Sequence, residues 1–356
     1  MQRIRVLHVN DRLSTRGGAD WHLYGVIEAL RERGHLVHVA AERIDDAYLP
    51  SEIVTQVPGL AAPTHTPVSL TPLLERFDPD IVHIHNVMNP TVLAQGDVMT
   101  VQDHRTFCPG RGKWTADQHE CTVSMSDEAC RSCFSDLTYF QRIHQVTKQR
   151  LEQVRRMHVT VLSQYMQREL QAVGVPRITV IPPFVHGLSE TVPPEPGEAC
   201  VLFVGRLVAA KGVWDVVEAW KQSQLRLPLV FAGTGRERSA LTHAGFEVLG
   251  WLDHQRLSAL YRRAAVVVLP SRWQEPFGIV GLEALSLGTP VVAWESGGVA
   301  EWYKGPRVSW GDVAGLAQAM RSTIGSRPKP ALGFERETLM DRLEAVYHQT
   351  VQERSV

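Results

Sequence analysis

Long hydrophobic runs, an excess of charge of either sign and internal repeats are all missing from this chain. No apolar stretch is long enough to cross a bilayer, which excludes a membrane-spanning helix. A formal net charge of −1 gives no electrostatic support for a nucleic-acid partner. The apolar core of a signal peptide is also lacking. Met1-Gln2-Arg3-Ile4-Arg5-Val6-Leu7-His8-Val9 reads instead as a strand, so the expectation is a cytoplasmic protein with reduced thiols. A useful Asp-x-Asp metal motif is missing too. Asp78-Pro79-Asp80 stands ahead of a buried strand, whereas ligands of parallel sheets bind at the carboxyl ends.

With 356 residues, 44% hydrophobic and 21% charged, the chain can form two domains with full cores. Short apolar runs alternate with helical patterns, the mark of parallel α/β sheets. The first half predicts strands at Ile4–Val9, Leu36–Ala40, Ile81–Ile84, Val98–Val101 and Val159–Leu162. The second half predicts Ala199–Val204, Leu229–Ala232, Glu247–Leu249, Val266–Leu269 and Val291–Ala293. Pro182-Pro183 and Val192-Pro193-Pro194-Glu195-Pro196-Gly197 cannot hold a helix or a central strand, which places a linker at 186–198. The expected fold is α/β, with two Rossmann-like, doubly wound domains facing a cleft. They span 1–185, with a cysteine-rich insertion at 104–136, and 199–334; a closing helix follows at 335–356.

The most informative segment is Ser271-Arg272-Trp273-Gln274-Glu275-Pro276-Phe277-Gly278-Ile279-Val280-Gly281-Leu282-Glu283. It follows the apolar run Ala264 to Leu269 and opens a helical pattern that Gly288-Thr289-Pro290 closes. From a helix start at Gly278, Glu283 would lie roughly 7.5 Å along the axis, about the distance from a diphosphate to its own ribose. Helix-start amides suit phosphate, and a carboxylate one to two turns in suits ribose hydroxyls. Glu275, ahead of the helix, could accept hydroxyls from a sugar on the far phosphate. Pro276-Phe277-Gly278 adds a rigid turn with room for close backbone approach. Two glutamates at such a spacing also occur as a plain solvated face.

The run resembles the E-x7-E signature of retaining glycosyltransferases of the GT-B architecture, family 4 in particular. Its flanks are similar as well: Val248-Leu249-Gly250-Trp251-Leu252, Leu257, Tyr261, Leu269-Pro270-Ser271, Gly288-Thr289-Pro290-Val291-Val292 and Gly297-Gly298-Val299-Ala300-Glu301. The resemblance implies that Glu275 contacts the donor sugar and Glu283 the nucleotide ribose. Gly278, Ile279 and Val280 would hold phosphate. Gly205-Arg206-Leu207-Val208-Ala209-Ala210-Lys211-Gly212 resembles the family's phosphate clamp, with Arg206 and Lys211 neutralising the leaving diphosphate. Gly233 and Gly235 are candidates for close approach to the nucleotide, and a plain turn is an equal alternative. Gly17 and Gly18 match a family loop at the donor phosphate and acceptor side. One departure is Gln102-Asp103, where the family commonly has His-Asp. Either Gln102 replaces a positioning contact, or His104 enters the site, or the donor differs. His83 and His85, ending a strand, are further cleft candidates.

The reading implied is a metal-independent, retaining hexosyltransferase. It would move sugar from a UDP- or GDP-type donor to a hydroxyl of a glycan, polysaccharide or lipid-linked acceptor, with no catalytic divalent metal. The rivals are a nucleotide-sugar 2-epimerase on the same scaffold and a metal- or redox-responsive binding module. Cys108, Cys121, Cys130 and Cys133 crowd into one loop-like insertion. They suit a structural zinc, alternatively an iron–sulfur cluster, with free thiols or a disulfide also open. Arg142, Lys148, Arg150, Arg155 and Arg156 make the stretch Tyr139–His158 basic, so it is either a solvated helix face or a peripheral contact with the inner face of a membrane.

Overall fold

Continuous β-branched runs become central strands, as burial on both faces of a parallel sheet requires. The computed structural model describes residues 3–46, 48–64, 66–110, 112–117 and 119–354. Two units form: one from Met1–Asp117, Cys121–Phe184 and Glu335–Val356, the other from Gln118–Glu120 and Val185–Phe334. The first holds strands β1 (Arg5–Leu13), β2 (Leu36–Ile44), β3 (Val54–Gln56), β4 (Ile81–Ile84), β5 (Val98–Val101), β6 (His158–Val161) and β7 (Ile178–Val180). All are parallel, in the order β3-β2-β1-β4-β5-β6-β7. The second holds β8 (Cys200–Val204), β9 (Leu229–Ala232), β10 (Glu247–Gly250), β11 (Ala264–Leu269) and β12 (Val291–Ala293), parallel in the order β10-β9-β8-β11-β12. Strand order therefore reverses between β1 and β4 in one unit and between β8 and β11 in the other. Such reversals open crevices at the carboxyl ends of the strands. Among the described residues, no helix is long and apolar enough to cross a membrane.

Strands β3 and β7 were not expected from the sequence. Each is three residues long, lies at a sheet edge and is only half-buried, so it carries no apolar run to read. At β1 the expected strand stops too early, because Asn10-Asp11-Arg12 continues it with polar residues.

The helix Arg336–Arg354 belongs to the first unit and buries Leu339, Met340, Leu343, Val346 and Tyr347 there. Its acidic face closes on Arg33, which pairs with Glu337, Asp341 (2.7 Å) and Glu344 (3.0 Å). Glu344 is 2% exposed and also meets His35 at 3.2 Å, so it is the costly member of this network. Beneath the helix runs a polar ladder. His8 on β1 is in register with His83 on β4, and His85 projects from the same face. His8 Nδ1 lies 2.9 Å from His85 Nε2, and His83 bonds Thr100 at 2.7 Å and the Tyr347 hydroxyl at 2.6 Å. Thr100 in turn bonds Thr160 at 2.7 Å. His83 and His85, read as cleft candidates, are thus buried structural partners. Burial, with His22 adding, pushes the His8 imidazole down to about 3, and burial holds His83 and His85 well below the ordinary value.

Two outcomes are expected. Arg33→Ala should destabilise the docking of the tail helix by about 3 kcal/mol, because Glu344 loses its guanidinium partner while buried. Asp341→Ala, on the exposed rim, should cost less than about 1 kcal/mol. Hydrogen exchange of amides in Arg336–Arg354 reads both, and equal effects would contradict the assignment. The second concerns acid. Between the ordinary pKa of 6.5 and the folded value of about 3, His8 is protonated only in the unfolded chain. Its contribution is therefore intact above about 6.5 and is lost as pH falls, by about 1.4 kcal/mol per pH unit, with His83 and His85 acting in the same direction. Urea midpoints from pH 7.5 to 4 should fall, and less steeply in His8→Gln.

Candidate functional site

The loop leaving β11 in the second unit carries a buried carboxylate held in one position. Glu275 is 5% exposed, and its Oε1 accepts from Lys211 Nζ at 2.6 Å and from the Ser271 hydroxyl. Lys211 comes from the loop leaving β8, so the pair bridges the two strands that flank the reversal in strand order. Burial alone would raise the Glu275 carboxyl, but Lys211 and the hydrogen bond from Ser271 outweigh it, and the net shift is downward. Glu275 is accordingly an anion. Burial, helped by the charge of Arg206, lowers Lys211 against the pull of Glu275.

Backbone contacts fix this loop from two sides. The amides of Arg272 and Trp273 donate to Ala210 O at 3.0 and 3.1 Å, and the Arg272 guanidinium pairs with Asp215. On the far side Gly297 N donates to the Gln274 side chain at 2.7 Å, Gly298 N to Glu275 O at 2.8 Å, and the Trp302 indole to Phe277 O at 2.6 Å. The helix Ile279–Ser286 then begins at Gly278, whose φ of 83° lies in the left-handed region. A Cβ there would also press on Val299 at 3.2 Å, so glycine is required. No side chain caps this helix, which leaves the first-turn amides around Ile279 and Val280 open to an anion. Inside it, Glu283 accepts from the Tyr261 hydroxyl at 2.7 Å. Burial raises its carboxyl pKa and Tyr261 offsets only part of the rise. Such a carboxylate gains from further hydroxyl donors.

Arg206 is exposed, lies 5.3 Å from the centroid of the Trp273 ring, and is not ion-paired among the described residues. Gly205 follows β8, and Gly233 and Gly235 follow β9. The close approach these glycines permit is internal: a Cβ on Gly233 would stand 1.9 Å from Gly205 O, and one on Gly235 2.2 Å from Leu207 O. Their demand for glycine is met by loop packing. Sequence reasoning missed Ser271, Trp273 and Ser296 as parts of the site. Their signal is weak because two of the three act through short contacts along or across loops, which no periodicity marks.

The other expected residues lie in the first unit. Gly17 is the uncapped N-cap of the helix Gly18–Glu32, with Asp20 in its first turn. Asp20 pairs with Arg12 at 2.9 Å, and burial raises its carboxyl to about 6. Gln102 follows β5, is buried, and accepts from the Asn86 amide at 3.3 Å. His104 is 3% exposed, its ring against Phe107 and Tyr165, with Nε2 3.2 Å from the Tyr165 hydroxyl. Asp80 accepts from the Arg5 amide and Asp78 pairs with the Arg5 guanidinium, so both acids are occupied.

Cys108 and Cys133 both flank Gly110, and burial raises the Cys130 thiol with the other three cysteines adding to the rise. Among the described residues, however, three metal-ligating side chains come within 4.8 Å of one another at His8, His83 and His85, and not at the cysteines. Within the basic stretch, one cation is not on the surface. Arg150 is buried and donates to Arg105 O (2.7 Å) and Val87 O (3.0 Å), Lys148 pairs with Asp127, and Arg155 donates to Val173 O. Amphipathic spacing could not show that an arginine served as an internal tie.

Known proteins carry the same pattern. A family model described as Glycosyltransferase Family 4 matches residues 16–186, and one described as Glycosyl transferases group 1 matches 198–326. A glycogen synthase of Mycobacterium tuberculosis is 39% identical over 146 residues, 37% of this chain and 35% of that enzyme, so the chain matches about a third of that relative's length. A phosphatidyl-myo-inositol mannosyltransferase of the same species is 29% identical over 78% of this chain and 74% of its own length. The structure of Anabaena HepE in complex with UDP and glucose aligns with a TM-score of 0.69 at 18% identity, covering 98% of this chain and all of HepE. WaaG, a glycosyltransferase of lipopolysaccharide biosynthesis, aligns at 0.66 and 16% identity, covering 97% of this chain and 95% of its own. The shared fold is GT-B, two parallel-sheet α/β domains, and with family models matched over both units the chain belongs to the glycosyltransferases of the family 4 type.

Proposed function

We propose that the protein transfers a sugar, with retention at the anomeric carbon, from a nucleoside-diphosphate sugar of UDP or GDP type to a hydroxyl acceptor on a glycan, polysaccharide or lipid-linked glycan. The observation that carries this reading is the Lys211–Glu275 pair beside an uncapped helix start, with Glu283 inside that helix. Cations, open amides and two carboxylates in this order match diphosphate, sugar and ribose. HepE is seen with UDP and with UDP-glucose, and the mannosyltransferase and glycogen synthase are sugar-transferring relatives by name, which supports the donor class.

In this mechanism the nucleoside docks through Glu283 and the first-turn amides. Arg206 and Lys211 meet the diphosphate and neutralise charge as it grows on the leaving group, so no divalent metal is needed for that step. Glu275, anionic and released from Lys211, accepts hydroxyls of the donor sugar and favours positive charge developing at its ring. The bond from anomeric carbon to phosphate oxygen breaks, the acceptor oxygen bonds the same face, and the acceptor proton passes to the departing phosphate oxygen. The cysteine segment is proposed to close on a structural zinc, alternatively an iron–sulfur cluster; the four thiols share one neighbourhood and supply a suitable donor set.

Glu283→Ala should weaken binding of the bare nucleotide by roughly 1.5–3 kcal/mol through loss of a charge-assisted hydrogen bond. Glu275→Ala should spare or tighten it, because Lys211 loses a competitor, while turnover falls. Calorimetry with UDP and GDP, alongside turnover, checks both; equal losses of nucleotide affinity would contradict the roles. EDTA should leave turnover of the wild type unchanged, and loss of activity restored by Mg²⁺ or Mn²⁺ would overturn the metal-independent step. Metal analysis of anaerobically purified protein should find stoichiometric zinc, or iron with sulfide, and Cys130→Ser with Cys133→Ser should abolish it. Four freely titratable thiols in native protein would refute the cluster.

A further inference from the structure

We infer that Trp273 is a positioning residue for the transfer, a single indole that seats both cations at the diphosphate position and acts on Glu275 through Lys211. The inference rests on the donor reading above and assigns it a residue that touches neither reacting atom.

Three observations converge on this side chain. Lys211 Nζ lies 4.3 Å from its ring centroid and the Arg206 guanidinium carbon 5.3 Å, both inside the range of a cation–π contact. Two like charges this close repel, as the depressing effect of Arg206 on Lys211 shows. The negative face of an indole counters that repulsion without neutralising either cation, which leaves their charge for a ligand. Second, the ring bears on Glu275 through Lys211: the Nζ that faces the indole is the one from which Glu275 Oε1 accepts at 2.6 Å, so the group that seats the cation also fixes the anion's partner. Third, its main chain ties the two loops together. Trp273 N donates to Ala210 O at 3.1 Å, next to Lys211, and Trp273 O accepts from the Ser296 hydroxyl at 2.8 Å. That hydroxyl accepts from Glu275 N at 3.2 Å.

Packing does not account for the residue. Trp294 and Trp302 fill the interior of this unit at 0% and 1% exposure, whereas Trp273 is only half-buried. A core tryptophan would be placed like the former pair. Trp273 instead lies where charge must be held but not discharged.

The test compares Trp273→Leu and Trp273→Phe with the wild type. Calorimetry uses UDP and UMP, with GDP–GMP and ADP–AMP in parallel, and steady-state kinetics use the matching nucleotide sugar. Leucine removes the π face, so affinity for the diphosphate should fall by about ten-fold or more while affinity for the monophosphate changes little. The kcat should fall by more than the KM for donor rises. Phenylalanine keeps a π face and should restore most of the diphosphate preference and most of kcat. Equal loss of diphosphate and monophosphate affinity together with a lower Tm would reduce Trp273 to packing and overturn the inference. So would a Phe variant indistinguishable from the Leu variant in diphosphate preference. Wild type that binds none of the three nucleoside diphosphates would overturn the donor reading itself, and this inference with it.

Discussion

One buried ion pair, Lys211 with Glu275, organises the second unit's site. Each partner sits on a loop at the carboxyl end of a strand, and those strands, β8 and β11, are the neighbours between which the order of the sheet reverses. An unpaired charge at 5% exposure would cost several kcal/mol, so neither loop can relax on its own. The surrounding contacts serve the same constraint. Ser271 gives Glu275 a hydroxyl, Asp215 anchors Arg272, and the glycines at 212 and 297 allow loop backbones to pass where a Cβ would collide with Pro270 O or Glu275 O. The parallel sheet supplies the position, and electrostatics decide what can occupy it.

The first unit solves a different problem with neutral groups. Its ladder of His8, His83, Thr100 and Thr160 lies under the tail helix with its imidazoles held uncharged by burial. Hydroxyls and imidazoles bond one another across β1, β4, β5 and β6 without importing charge into the core, and His8 Nε2 and His85 Nδ1 are left without a hydrogen-bond partner. The charge that the helix does bring is met at its edge, where Arg33 gathers three carboxylates.

Much of this was legible in the sequence, for identifiable reasons. Buried parallel strands are unbroken apolar runs, so Ile81–Ile84, Val98–Val101, Leu229–Ala232 and Val291–Ala293 were read with the ends they have. The segment from Ser271 to Glu283 was legible because a turn of Pro and Gly between two glutamates marks a loop entering a helix. Edge strands β3 and β7 were not, since half-burial removes the apolar signal. The surroundings of single polar residues were the least legible. Arg150 reads as a surface cation and is an internal tie, and His104 reads as a loop histidine and is buried against Phe107 and Tyr165. Each of these depends on contacts between segments far apart in the chain, and local spacing carries no record of them. Trp273 shows the converse: it stood inside the best-read segment, but its part depends on where Arg206 and Lys211 arrive, more than sixty positions away.

The resting pair also frames how donor binding would do chemical work. Separating Lys211 from Glu275 without replacement would cost several kcal/mol. A diphosphate offers Lys211 a stronger partner, and sugar hydroxyls offer Glu275 new donors, so the exchange can run close to balance. Affinity must then come from elsewhere, and Glu283 with the open amides of the helix Ile279–Ser286 is the place that has it to give. In the proposed mode Glu283 would meet the nucleotide's unreacting end. Binding energy from that end would drive the rearrangement at the reacting end, so that Lys211 follows charge as it grows on the leaving oxygen, and the ion pair that stabilises the empty loop becomes two separate interactions made strongest in the transition state.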